Sequence, residues 1–314
     1  MNRLSSFLMG MLLLMLASCK GCGSGEERVE LTPEQQRLQK IAMIDSTTIQ
    51  TVVLLDSIEG YDRLAAISAE AWMLIDDSTG FVISQKNATR RLCMASITKM
   101  MTCLLALEKG NPSDTIDITE DVFIAKDSRV RFGESYRLDD LLDEMMLVSD
   151  NDAAYAIANH IGGDTLTFCD MMNQKAMYLG MDSTHFSNPN GLPNLTNFSS
   201  ASDLIRLSRY CMRDSVFAQI VGTEEKNIPL TDGRHMLCRN TNALLKTYEG
   251  CFGIKTGFTR QAGNCLASVA TRDGVTLYLV LLNSRSMSSR FTESALLLDY
   301  GFNVMRTYLY DHVF

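Results

Sequence analysis

The sequence predicts an α+β domain with a helical insertion: strands near both ends and helices in the middle. Three observations predict it. Apolar residues at helical spacing fill the region from Ser96 to Leu179. Short apolar runs bounded by turn residues lie on either side, near Ala71 and beyond Ile254. The composition is globular: of 314 residues, 46% are hydrophobic and 21% charged, with 5 Pro and 20 Gly, which excludes disordered and collagen-like chains. That length suits one large domain or two small ones, and no internal repeat is present.

Residues 1–18 read as an export signal. Arg3 gives the positive start, and the apolar run from Leu4 to Leu16 is too short to span a bilayer. The boundary Leu16-Ala17-Ser18-Cys19 resembles the lipobox of bacterial lipoproteins, which implies cleavage before Cys19 and a lipid on its sulfur. That explains Cys19-x-x-Cys22 better than a redox or metal pair. Residues 19–60 are then expected to carry the lipid, a Gly-rich charged tether at 20–30 and a helix started by Thr32-Pro33-Glu34-Gln35. The lipid would hold the protein to a membrane without a spanning helix. A catalytic domain is expected over 61–314.

Within it, 71–75 and 81–84 read as a β-hairpin around Asp76-Asp77-Ser78-Thr79-Gly80. Residues 96–109 form a helix with a broad apolar face and a stop at Gly110. Further helices are expected at 138–148, 152–161, 166–179 and 202–212, and a closing one at 290–301. Asn188-Pro189-Asn190-Gly191 is a strong turn signal. Ile254, 265–270 and 276–282 read as strands, the last two joined by the tight turn Arg272-Asp273-Gly274.

A net charge of −8 leaves no basic surplus for a phosphate backbone, so nucleic acid is not an expected partner. The four His, at 160, 185, 235 and 312, have no metal-ligand spacing, and no metal or cofactor is expected. The nine Cys show no small-scaffold disulfide framework; Cys93 and Cys103 are expected to pack as small hydrophobes.

The chemistry concentrates in three motifs. Ser96-Ile97-Thr98-Lys99 puts a hydroxyl and an amine three residues apart on a helix, where side chains meet. A Ser hydroxyl is a weak nucleophile without a base, and a Lys is a base only once burial or a nearby cation lowers its pKa. Burial beside Met100 and Cys103 and repulsion from Lys255 are the two causes available. Alone, Ser-x-x-Lys also suits a helix cap followed by a solvated Lys. Ser149-Asp150-Asn151 and Lys255-Thr256-Gly257 decide otherwise, because all three occur in the order of the penicillin-recognising serine enzymes.

The chain resembles the serine-type D-alanyl-D-alanine carboxypeptidases, the low-molecular-mass penicillin-binding proteins. The likeness runs from about Ala71 to Phe302 and includes His185 to Leu192, Asn240-Thr241-Asn242 and Gly253 to Thr259. It implies a β-lactamase/transpeptidase-like fold, an antiparallel sheet flanked by helices with a largely helical subdomain. It implies that Ser96 is acylated, Lys99 takes its proton and Ser149 relays it to the leaving amine. Asn151 would hydrogen-bond Lys99 and the substrate amide. Lys255 and Thr256 would hold the terminal carboxylate, with Lys255 charged. Gly257 would give the substrate backbone room, and the Ser96 and Phe258 N–H groups would form the oxyanion hole. The implied substrate is a peptidoglycan stem peptide ending in D-Ala-D-Ala, with β-lactams as acylating inhibitors, at the extracytoplasmic side of a bacterial envelope.

Three departures matter. Asp150 stands where the family often has Gly. Thr241 stands where some members carry Arg, and Arg239 is a candidate substitute. The chain stops twelve residues after Phe302, so the C-terminal β-rich domain of many carboxypeptidases is not expected. The alternatives are a D,D-endopeptidase cutting cross-links, a β-lactamase, and a non-catalytic lipid-tethered binding protein. The β-lactamase is disfavoured because no Glu occurs between Met145 and Thr223 to activate a deacylating water.

Overall fold

Strand β9, Val275–Ser284, is buried at eight of its ten positions, and that decides the architecture. A strand apolar on both faces must be covered on both faces. Leu277, Leu279 and Leu281 join one core cluster, while Tyr278, Val280 and Leu282 join another. The period-2 alternation of a strand thus feeds two cores from a single run. The computed structural model describes residues 58–120, 122, 128–230 and 233–310. All belong to one compact unit. The export signal, Cys19, the tether and the helix at Thr32 lie outside the described residues.

β9 is the centre of a five-stranded antiparallel sheet, order β2-β1-β9-β8-β7. The others are β1 (Ala71–Asp76), β2 (Val82–Lys86), β7 (Cys251–Thr259) and β8 (Gly263–Arg272). The first hairpin is as expected, paired from Trp72 with Lys86 to Ile75 with Val82. One face is covered by the closing helix α9 (Met287–Val304), which buries Leu297, Leu298, Tyr300 and Val304 against Leu74, Leu277 and Leu279; the short helix α1 (Tyr61–Leu64) packs on α9.

The other face meets the helical region. Helix α2, Lys99–Lys109, is buried from Lys99 to Ala106 on all sides. A helix apolar all round belongs in a core. It packs against α3 (Leu138–Leu147), α4 (Asn151–Gly162), α5 (Thr165–Tyr178), α6 (Ala201–Cys211) and α7 (Ser215–Gly222), while the short helix α8 (Leu244–Thr247) lies against β7. The expected helices at 138–148, 152–161, 166–179, 202–212 and 290–301 are all present, with ends shifted by up to three residues.

Three expectations change. The helix expected from Ser96 begins at Lys99; Ala95–Thr98 is a 3-10 turn, entered through Ala95 at φ +49°. Only Ile254 read as strand in the third-motif region, yet β7 runs nine residues, because a paired partner in β8 overrides weak local propensity. Two small hairpins went unpredicted, β3 (Thr115–Asp117) with β4 (Ser135–Arg137) and β5 (Glu225–Pro229) with β6 (His235–Arg239). β5 buries Ile228 alone, so no alternation marked it.

Candidate active site

The 3-10 turn sets the first pair. Side chains at i and i+3 eclipse in such a turn, and the Lys99 Nζ lies 3.0 Å from the Ser96 Oγ. Nζ also donates to the Asn151 Oδ1 at 2.8 Å and to the Asn190 carbonyl at 2.8 Å. Both of those oxygens only accept. They therefore occupy two N–H groups, and the third direction of Nζ faces a hydroxyl that can donate. In the neutral amine that direction is a lone pair, which can accept the Ser96 O–H.

The electrostatics favour the neutral form. Lys99 is fully buried, and burial holds its pKa well below the usual amine range. The Lys255 charge pushes it the same way, and Asp150 opposes both. Both expected causes are present, burial being the larger. Ser96 itself is half-buried, so its oxygen is reachable. The arrangement can pass a proton from hydroxyl to amine.

Asn151 is delivered by the start of α4. Asp150 caps that helix, accepting from the Asp152 and Ala153 N–H groups at 2.8 and 3.1 Å. The same carboxylate accepts from Ser128 Oγ at 2.9 Å and from Arg129 N–H at 2.6 Å. The residue in place of Gly thus ties the 128–129 segment to the motif. Ser149 is held at φ +67°, a costly conformation for a side-chain-bearing residue, as is Ala95 beside Ser96. Ser149 is half-buried, and no hydrogen bond to its hydroxyl is present among the described residues.

β7 is the sheet edge and carries the third motif. Lys255 is 1% exposed, with Nζ 3.3 Å from the Thr256 carbonyl. Burial, with the Arg290 charge second, pushes its pKa down to about 7. The expected role needs Lys255 charged when it holds a carboxylate, and an anion at this position would offset the burial and the Arg290 charge. Arg290, buried in the first turn of α9, donates to the Gly257 carbonyl at 3.2 Å. Gly257 has a reason the sequence did not show. A Cβ there would lie 2.9 Å from the Met94 carbonyl and 3.1 Å from the Ser96 nitrogen. The edge strand is pressed against the Ser96 turn itself. That contact brings the strand residue before Phe258 against the backbone of Ser96, and Phe258 is 55% exposed.

Ser96, Lys99 and Asn151 are therefore joined directly, and Lys255, Thr256, Gly257 and Phe258 form the adjoining wall. Arg239 does not join them: its exposed side chain pairs with Glu225 at 3.4 Å. Thr241 does, its hydroxyl 2.6 Å from that of Thr256. Among the described cysteines all are free; Cys103 is buried and Cys93 half-buried, and burial raises both thiols, as suits packing residues. Cys19 lies outside the described residues.

Sequence reasoning missed Asn190 and Gly191 as site residues. The turn at 188–191 was legible, with Asn188 Oδ1 accepting the Gly191 N–H at 2.7 Å. Nothing in spacing placed it under Lys99. Thr102 pins the turn through the Pro189 carbonyl at 2.6 Å. Gly191 sits at φ +86°, and a Cβ there would be 2.0 Å from the Ala95 carbonyl.

This fold and site define a class, the penicillin-recognising serine peptidases. The profile described as D-alanyl-D-alanine carboxypeptidase matches residues 59–286. D-alanyl-D-alanine carboxypeptidase DacF of Bacillus subtilis is 32% identical over 250 residues, 77% of this chain and 64% of that protein. The chain thus spans under two thirds of that relative's length. The D-alanyl-D-alanine carboxypeptidase of a Streptomyces species is 31% identical over 75% of this chain and 88% of its own. A D-alanyl-D-alanine endopeptidase of Pseudomonas aeruginosa is 33% identical over 71% of this chain and 73% of its own. The crystal structure of the Streptomyces K15 DD-transpeptidase superposes with a TM-score of 0.71 at 30% identity, covering 75% of this chain and 97% of that one. The chain belongs to the D-alanyl-D-alanine carboxypeptidase family of serine peptidases.

The Gly191 contact makes a prediction. Gly191→Ala is expected to cost about 1–3 kcal/mol in backbone strain alone, and the overlap with Ala95 adds to that. Gly80 provides the comparison, at φ +72° with no atom within 4 Å of a Cβ position. Calorimetric melting of Gly191→Ala and Gly80→Ala should show the larger fall for Gly191→Ala. Equal falls would mean that the contact with Ala95 carries no energy.

Proposed function

We propose that this protein is a serine-type D-alanyl-D-alanine carboxypeptidase that removes the terminal D-Ala of peptidoglycan stem peptides through an ester on Ser96. The observation that carries the reading is the Lys99 amine, buried, held by two carbonyl oxygens and turned toward the Ser96 hydroxyl. Ser96 Oγ attacks the carbonyl of the penultimate D-Ala as its proton passes to Lys99 Nζ. The N–H groups of Ser96 and Phe258 stabilise the oxyanion. The proton returns through Ser149 to the nitrogen of the departing D-Ala. Asn151 holds Lys99 and the substrate amide. Lys255 and Thr256 bind the terminal carboxylate. Water then attacks the ester, releases the shortened peptide and restores Ser96. A β-lactam carries the same carboxylate and a reactive carbonyl, so it follows the first half of this course.

The test is direct. The protein is incubated with benzylpenicillin, with a pentapeptide ending in D-Ala-D-Ala and with a cross-linked peptide dimer. One adduct on the peptide containing Ser96, absent in Ser96→Ala, and D-Ala release from the pentapeptide are expected. Faster cleavage of the dimer would move the reading to the endopeptidase activity for which the Pseudomonas relative is named. Lys99→Arg keeps a long basic side chain but cannot give up its proton, so it removes the base, and it should acylate slower by orders of magnitude, with Lys255→Arg losing far less.

Lys255 sets a pH dependence. Burial and the Arg290 charge put its pKa at about 7, and a bound carboxylate favours the charged form. Below pH 7 the cation is ready and KM is flat. Above it, binding must take up a proton, so KM for the free-acid peptide should rise roughly tenfold per pH unit. Lys255→Arg stays charged and should flatten that limb. A wild-type KM constant from pH 6 to 9 would mean that Lys255 does not titrate in this window and would overturn the pH dependence.

The reading extends to the cell envelope through a lipid on Cys19, supported by the Leu16-Ala17-Ser18-Cys19 boundary. Among the described residues no helix is long and apolar enough to cross a membrane. Cys19→Ser is expected to move the protein from the membrane fraction to the soluble one.

A further inference from the structure

The Thr241 hydroxyl lies 2.6 Å from the Thr256 hydroxyl, inside the normal range for an O–H···O bond. Thr256 is buried at 4% exposure, while Thr241 is exposed. The backbone of Thr241 is held independently of that contact. Its N–H donates to the Leu147 carbonyl at 3.0 Å. Leu147 ends α3, two residues before Ser149. The flanking Asn242 side chain donates to the Gly253 carbonyl on β7 at 3.0 Å, and its own N–H donates to Asn240 Oδ1 at 2.9 Å. The 240–242 turn is therefore bolted both to the helix that leads into the second motif and to the strand that carries the third.

We propose that Thr241 is a positioning residue for carboxylate recognition, acting through Thr256. This rests on the carboxypeptidase reading of the site. Each hydroxyl carries one hydrogen. When Thr241 donates to Thr256, the Thr256 hydrogen is free to donate outward to a substrate carboxylate beside Lys255. The chain Thr241 to Thr256 to carboxylate is polarised end to end, which strengthens its last bond. Without the Thr241 hydroxyl, the Thr256 rotor loses the acceptor–donor partner that fixes its direction. The effect is confined to ligands that present an anion at this wall.

Thr241→Val keeps shape and both backbone anchors and removes the hydroxyl; Thr241→Ser keeps the hydroxyl. KM and kcat are measured for a peptide ending in D-Ala-D-Ala and for its C-terminal amide. In parallel, acylation rates are followed by intact mass for benzylpenicillin and its methyl ester. Thr241→Val should raise KM for the free acid roughly five- to tenfold, leave kcat within about twofold, and change the amide and ester little. Thr241→Ser should restore the wild-type values. Equal losses on the charged and uncharged ligands would make Thr241 merely structural and overturn the proposal. So would an unchanged KM for the free acid. A wild-type enzyme that neither acylates nor releases D-Ala would fail the function reading itself, a result separate from any Thr241 effect.

Discussion

Everything in the site follows from burying an amine. A charged Lys in a closed interior is costly unless paired with an anion, and the partners of Lys99 are a hydroxyl and two carbonyl oxygens. The cheapest resolution is to give up the proton. The fold then needs acceptors for the remaining two N–H groups and a donor for the lone pair. It draws one acceptor from the start of α4 and another from the 188–191 turn, and finds the donor three residues back on the same turn. Three segments distant in sequence converge because one nitrogen has three directions to satisfy.

A second buried Lys stands across the site, and the two differ in company. Lys99 faces neutral oxygens, with Asp150 as the nearby anion that raises it. Lys255 has the buried Arg290 cation near it. Two cations on one wall repel, and a carboxylate is the group that relieves the repulsion. In the proposed mechanism, the division of labour between the two lysines would come from surroundings, not from residue type. Arg290 also fastens α9 to the edge strand through the Gly257 carbonyl. The closing helix therefore serves both core and site.

The price is taken in backbone strain. Ala95 and Ser149 hold positive φ without being glycine; Ala95 adjoins Ser96, and Ser149 opens the second motif. Gly191 and Gly257 bring backbone against the Ser96 turn where a methyl group has no room. Such strain persists only in rigid surroundings. Here these are the fully buried helix α2 and a sheet covered on both faces.

The sequence alone determined the class of chemistry and most of the frame. The three motifs in order named Ser96, Lys99, Asn151 and the Lys255-Thr256-Gly257 wall, and periodicity placed six helices and the central strands. Those signals are local: a 3.6 or 2.0 repeat, or residue types a few positions apart. Tertiary structure decided the rest. It put the Asn190 carbonyl under Lys99, paired Thr241 rather than Arg239 with the third motif, brought Arg290 to Gly257 and made the Ser96 turn 3-10. It also extended β7 by pairing it with β8 and raised two hairpins that carry almost no apolar pattern. Each of these depends on what a residue meets across tens of positions, and backbone carbonyls, burial and close approach leave no mark in residue identity.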